Sequence, residues 1–216
     1  ESIQEQTFSN FNHIIKDGMS NDGTDLIDYD KYRNIHYINS KDLGVYDAMN
    51  QGFNFAKGEI IMFLNAGDTF YSNNILYDMA NCINQNPNYK CYIGATIQVQ
   101  LNPEKKLYKV LGKGLLQRKL PLLQIPHPSL FIRKNVLIKL NPIFDPKFQI
   151  ASDYKQQLLL RKKHLWKPFY TKLIVTLMPT GGISTNSWRS QLKGYIEVSS
   201  IAFELYGFRA IYVLGL

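Results

Sequence analysis

"NHIIKDGMSNDGT", residues 12–24, is a short apolar segment running straight into a loop that holds Asp17, Gly18, Asp22 and Gly23. Ile14 and Ile15 suit a buried strand, and the polar residues after them must leave the sheet. Three readings fit the loop: an ordinary turn, a cation loop, or a pocket for a polar ligand. The cation loop fails. With the EF-hand glycine set at Gly23, Gly18 falls where the first carboxylate must stand, and no Glu closes the loop. A turn and a pocket remain open.

Outward from that loop, short apolar segments alternate with helical patterns. Residues 24–33, "TDLIDYDKYR", read as a helix with acids early and bases late, as the helix dipole favours. Residues 35–39, "IHYIN", form a strand. In "GVYDAMNQGFNFAKG" (44–58), Val45, Met49 and Phe53 recur at i, i+4 and i+8, a helical apolar stripe that ends near Gly58. "EIIMFLNAGD" (59–68) is an apolar strand entering a second polar loop, and residues 74–86 are again helical. This rhythm predicts an α/β fold with a mostly parallel central sheet and helices on its faces. Ligands of such sheets bind outside the carboxyl ends of the strands, which puts both polar loops on one rim.

The second half is less regular. Residues 90–100 and 107–113 are expected as antiparallel strands around a turn at Asn102-Pro103. Residues 127–134 read as a strand, 152–163 as a helix, and 169–178 as a long strand leading to "PTGGIST" (179–185). An aromatic-rich amphipathic helix is expected over 188–207. With no repeat, low-complexity segment or linker, one domain over residues 1–216 is the economical organisation.

Composition narrows the function classes. An apolar fraction of 45% supplies a core and argues against disorder. Cys82 and Cys91 are the only cysteines and lack zinc-site or disulfide-framework spacing, so reduced cytosolic thiols are expected. No apolar run reaches the roughly 18 residues that span a bilayer. Charge is lopsided: residues 1–100 hold 6 Lys and Arg against 12 Asp and Glu, residues 101–216 hold 19 against 5, and the net is +8. A basic half suits a phosphorylated substrate, an anionic lipid or nucleic acid, or is simply a solvated surface. No nucleic-acid motif accompanies it, so no nucleic-acid partner is expected.

Three polar groups stand out against this background. Asp47 and Asn50, three apart, share a helical face away from the 45/49/53 stripe. Asp68 ends an apolar strand, where a carboxylate is costly unless solvated, paired or metal-bound, although a plain turn cap also suits it.

Taken in order, "QTFSNFNHIIKDGMSNDGT" (6–24), "NSKDLGVYDAMNQG" (39–52) and "FLNAGD" (63–68) resemble the nucleotide-binding half of the inverting family 2 glycosyltransferases of GT-A fold. Within that family the bacterial enzymes of surface-polysaccharide synthesis are the nearest in pattern, approximately "QTYxNxEhIIhDGxSxDGT", "SEKDKGIYDAMNKG" and "FLNSDD" or "FLNAGD". The resemblance implies a GT-A fold, with a nucleotide-sugar half over 1–100 and an acceptor and catalytic half, including a small antiparallel part, over 101–185. A C-terminal amphipathic helix and tail would cover 186–216. Asp17 would contact the base of the nucleotide, and Asp42, Asp47, Asn50 and Gly67 would line the donor. Asp68 matches the family's metal-binding Asp and would hold Mn²⁺ or Mg²⁺ against the diphosphate. Two departures bear on this: Gly67 stands where many relatives carry a second Asp, which implies weaker metal affinity, and Ser40 stands where the pattern has Glu.

Later matches complete the implied site. "FQIASDYKQQLLLR" (148–161) resembles the element carrying the family's general base, which gives Asp153; an Asp in a first helical turn also simply stabilises the helix. "PHPSLF" (126–131) resembles the "HQSxFxR" strand and puts His127 near the acceptor or diphosphate, though a structural histidine between two prolines fits as well. "PTGGIST" matches a late "GGxS" loop, so Gly181, Gly182 and Ser184 would close over the site, or the glycines merely end the strand.

The implied activity is transfer of a sugar from a nucleotide sugar, a UDP-sugar for preference, to a hydroxyl of a glycan or lipid-linked acceptor, with inversion. Its place would be cytoplasmic, with peripheral contact at an anionic membrane inner face through the basic and aromatic residues after 188. The family's opening strand, with its "P-x-(Y/F)-N"-like end, has no counterpart here, so one sheet position and part of the donor pocket are expected to be unfilled. A truncated, non-catalytic nucleotide-sugar-binding module, or a nucleotidyltransferase on a similar sheet, are the rival readings.

Overall fold

The computed structural model describes residues 1–32, 34–101, 106–111, 124–181 and 187–210. Strands β1 (His13–Asp17) and β2 (Ile35–Asn39) pair in parallel, from His13 beside Ile35 to Asp17 beside Asn39. The chain between them is not the helix that its charge order predicts. It forms two single 3-10 turns, Thr24–Leu26 and Tyr29–Lys31. Asp22 takes the Thr24 backbone N–H and hydroxyl at 3.1 and 2.7 Å, a local bond that competes with helical pairing. Neither turn buries a residue, so no packing stabilises a longer helix.

Helix α1 (Val45–Phe53) ends earlier than Gly58. Beyond Phe53 the backbone bonds tighten to i→i+3, from Asn54 to Gln51 and Phe55 to Gly52. Strand β3 (Ile60–Ile61) is much shorter than residues 59–68 suggest, and β4 (Thr69–Phe70) follows the "NAGD" loop directly. Next come α2 (Ile75–Gln85), β5 (Cys91–Leu101), β6 (Lys106–Leu111), β7 (Leu130–Arg133) and the single turn α3 (Lys134–Leu137). Helix α4 (Ser152–Lys162), the long β8 (Pro168–Pro179) and α5 (Trp188–Tyr206) complete the described elements. The expected hairpin is present as β5–β6; its turn at Asn102-Pro103 lies outside the described residues.

Strands β3 to β8 make one six-stranded sheet in the order β3-β7-β5-β8-β4, with β6 attached to β5. The architecture is α/β as expected, but the sheet is mixed rather than mostly parallel. Among the described residues only β1–β2 and β5–β8 are parallel pairs, while β7 runs against β3 and β5, and β4 against β8. A hairpin connection can only join antiparallel strands, which sets β6 against β5. Among the described residues, β1 pairs only with β2 and β3 only with β7, so the two sheets do not join.

Side-chain alternation divides the core between the two faces of the large sheet. Cys91, Ile93, Leu130 and Ile132 point to one face, where they meet Tyr46, Phe144, Leu137 and Leu160, with Val45, Met49 and Phe53 packed alongside. Tyr92 and Phe131, the intervening residues, point to the other, against Ile75 and Met79 of α2. The predicted α1 stripe therefore does cover the sheet. A third cluster, Phe148, Ala151, Tyr154, Leu158 and Ile201, fastens α4 to α5. Cys82 and Cys91 are free thiols, and burial pushes that of Cys91 up to about 12, so it is inert packing.

Candidate active site

Asp153 is the second residue of α4 and is buried. Its Oδ1 accepts the Tyr46 hydroxyl at 2.9 Å, and Oδ2 accepts the Gln124 amide at 2.7 Å and lies 3.4 Å from His127 Nδ1. A carboxylate offers about four lone-pair directions, and the Tyr46, Gln124, His127 and Tyr154 groups approach them here. Burial alone raises its pKa. The hydrogen bond and charge of His127, the Tyr46 hydroxyl and the Tyr154 backbone N–H outweigh that and hold it below the ordinary carboxylate value. The side chain is therefore ionised at neutral pH. Tyr46 is affected in the opposite sense, its hydroxyl held in the neutral form by burial and by the adjacent negative charge.

Asp68 sits in the turn that enters β4, its backbone N–H closing on the Asn65 carbonyl at 3.1 Å. Gly67 holds that turn at φ +92°, a conformation that suits glycine. Burial pushes the Asp68 pKa up to about 6, against the pull of His127 and the Asn65 contact. Its Oδ2 is buried without a hydrogen-bond partner, as are Asn65 Oδ1 and His127 Nε2. His127 lies in a 3-10 turn just before β7, and its charge acts on both Asp68 and Asp153. Two carboxylates from different halves of the chain thus both feel the charge of one histidine. Among the described residues no three His, Cys, Asp or Glu side chains form a metal cluster. Asp68 supplies one partnerless oxygen, which suits a cation completed by ligand oxygens and water.

The remaining predicted residues sit elsewhere or are engaged internally. Asp17, at the end of β1, accepts the Ser20 backbone N–H and hydroxyl at 3.0 and 2.6 Å and the Tyr37 hydroxyl at 2.7 Å. These bonds, led by those from Ser20, lower its pKa and hold the opening loop as a turn. Asp42 pairs with Lys16 Nζ at 2.9 Å and caps Gly44 N–H at 3.0 Å. A Cβ on Gly18 would stand 2.6 Å from Asp42 Oδ2, so a larger residue there would have to displace the carboxylate that pairs with Lys16. Asp47 accepts Leu43 N–H at 2.9 Å, one residue ahead of Gly44, the α1 N-cap, and the Gln51 amide at 3.0 Å. Asn50 clamps the backbone of Phe144, giving at 2.7 Å and accepting at 3.0 Å. Asp47 and Asn50 therefore fix α1 and its neighbours in place. Gly181, at φ +103°, follows β8. Gly182 and Ser184 lie outside the described residues. An open depression of about 400 Å³ beside β2, lined by residues 27–30 and 35–37, contains neither Asp68 nor Asp153.

Tyr46 and Gln124 are site residues that the sequence reading missed. Tyr46 carried a usable signal: a tyrosine on a helix packed against the core needs a partner for its hydroxyl. Gln124 stands in a stretch without periodicity and carried none.

The profile described as glycosyl transferase family 2 matches residues 1–141. Proteins named "PGL/p-HBAD biosynthesis glycosyltransferase" from Mycobacterium bovis and Mycobacterium tuberculosis are 27% identical over 158 residues, covering 71% of this chain and 59% of theirs. The chain thus spans about 59% of the length of those relatives. Crystal structures of S. aureus TarS 1-349, one of them in complex with UDP-GlcNAc, superpose with a TM-score of 0.68 at 18% and 17% identity. They cover 99% of this chain and 63% and 64% of TarS 1-349, and establish the GT-A fold.

Proposed function

The chain belongs to glycosyl transferase family 2, and we propose that it moves a sugar from a nucleotide sugar to an acceptor hydroxyl with inversion at the anomeric carbon. The convergence of Asp68, His127 and Asp153 carries this reading. The acceptor oxygen bonds to the anomeric carbon as the bond from that carbon to the diphosphate oxygen breaks. The acceptor proton passes to Asp153, and the nucleoside diphosphate leaves. Asp153 is ionised, and Tyr46 and Gln124 fix its plane. With the base opposite the leaving group, as proposed, a single displacement would invert the centre.

Asp68 would hold a divalent cation, Mn²⁺ or Mg²⁺, which supplies charge stabilisation for the departing diphosphate. A UDP-sugar is the proposed donor, a choice supported by the UDP-GlcNAc complex of TarS. Asp17 and its loop are proposed to meet the nucleotide base. A glycan or lipid-linked saccharide is the proposed acceptor, reached at an anionic membrane surface. No helix among the described residues is long and apolar enough to cross a membrane. Trp188, Leu192, Tyr195 and Ile196 form an exposed apolar face on α5 beside Arg189 and Lys193, which supports contact of the peripheral kind.

Titration calorimetry of UDP with Mn²⁺ tests the donor side. Binding is expected for the native chain and lost in Asp68→Ala; equal binding by both contradicts the role of Asp68. Transfer or hydrolysis of UDP-N-acetylglucosamine tests the chemistry. Turnover without any effect of Asp153→Asn removes that residue from the mechanism.

A further inference from the structure

We propose that Glu197, on α5, is the positioning residue that sets the geometry of Asp153. The proposal rests on the reading of Asp153 as the base. Glu197 is only 8% exposed, an uncommon place for a carboxylate. Its oxygens accept three successive backbone N–H groups: Gln149 at 3.0 Å, Ile150 at 2.8 Å and Ala151 at 2.9 Å. Ala151 is the N-cap of α4, two residues before Asp153. Three consecutive donors converging on one anion make a backbone nest, here filled by a side chain from a different helix.

The same turn is gripped from its other side. The Tyr46 hydroxyl lies 2.7 Å from the Ile150 carbonyl and 2.9 Å from Asp153 Oδ1. Glu197 therefore holds the N–H groups of the turn, while the single Tyr46 hydroxyl proton is shared between its carbonyl and the carboxylate it presents. Lys193 Nζ adds a bond to Gln149 Oε1 at 2.5 Å. The apolar cluster of Phe148, Ala151 and Ile201 already joins the two helices. The Glu197 carboxylate, in addition, fixes the orientation of the turn that carries the base. Misplacement of a reacting group by about 1 Å costs on the order of 10²-fold in rate.

The test uses the full chain and four proteins: native, Glu197→Gln, Asp153→Asn and the double variant. Glutamine keeps the size of the side chain but sets an amide donor against the N–H groups. UDP release from UDP-N-acetylglucosamine with Mn²⁺ is measured. Glu197→Gln is expected to lower kcat on the order of 10²-fold with KM for the donor nearly unchanged, and to add nothing in the Asp153→Asn background. Equal losses in both backgrounds, or a change confined to KM, overturn the proposal. Turnover unaffected by Asp153→Asn overturns the underlying reading instead.

Amide hydrogen exchange gives a readout independent of turnover. Residues 149–151 are expected to exchange about tenfold faster in Glu197→Gln while α2 is unchanged. Unaltered exchange there overturns the proposal. Glu197→Asp keeps the acceptors and is expected to recover part of both effects. Unfolding of both variants would make Glu197 a plain structural staple and end the claim.

Discussion

The surroundings of Asp68 fit it poorly without a ligand, because it is half-buried and one oxygen has no partner. With its pKa raised from 3.8 to about 6, the folded chain keeps a proton that the unfolded chain has released. Stability is therefore lost as pH rises through that window and stays lost above it. Asp68→Asn is expected to stabilise the metal-free protein by about 1 kcal/mol near neutral pH, a figure discounted for partial exposure, with the gain fading as pH falls toward about 4. Urea denaturation at the two pH values checks this, and an equal gain at both contradicts it. Asp153 stands in the opposite situation, hydrogen-bonded by several neighbours and ionised, so Asp153→Asn is expected to cost on the order of 10²–10⁴ in transfer rate while leaving donor binding intact. Steady-state transfer assays read the split. Both residues were legible in the sequence because a carboxylate at the end of an apolar strand, or at the start of a helix within a family pattern, is conspicuous. Their supports, Tyr46 and Gln124, were not, since a buried hydrogen-bond partner from a distant segment has no local pattern.

Among the elements, the helices at 75–85, 152–162 and 188–206 and the strands at 13–17, 35–39 and 168–179 match their sequence periodicity closely. Residues 24–33 do not: the dipole-like order of charges looked helical, but side-chain bonds from Asp22 and the lack of any buried face favour isolated turns. Two element contacts give direct tests. Asn50 bonds both polar groups of the Phe144 backbone and thereby ties α1 to the segment leading to Asp153. Asn50→Ala leaves that backbone unpaired and is expected to cost about 1–3 kcal/mol in chemical denaturation. Gly18→Ala forces a methyl group into the Asp42 carboxylate that pairs with Lys16, with an expected cost of about 1–3 kcal/mol. An unchanged midpoint in either variant contradicts the contact.

Across the whole molecule, the sequence told more about composition than about assembly. The excess of acid in residues 1–100 and of base in 101–216 was plain. The mixing of parallel and antiparallel strands was not, because pairing between distant segments is decided by packing and connection length. The exposed aromatic face of α5 beside basic residues predicts co-sedimentation with phosphatidylglycerol vesicles, weaker with phosphatidylcholine and weakened by salt. Equal affinity for both lipids would remove the electrostatic part of that reading. The central claim is that Asp68, His127 and Asp153, remote in sequence, border one cation-bearing site. Paramagnetic broadening by Mn²⁺ added with UDP measures this directly by NMR. The account predicts that signals of Asp68, His127 and Asp153 all broaden together; broadening at Asp68 with Asp153 and His127 untouched would contradict it.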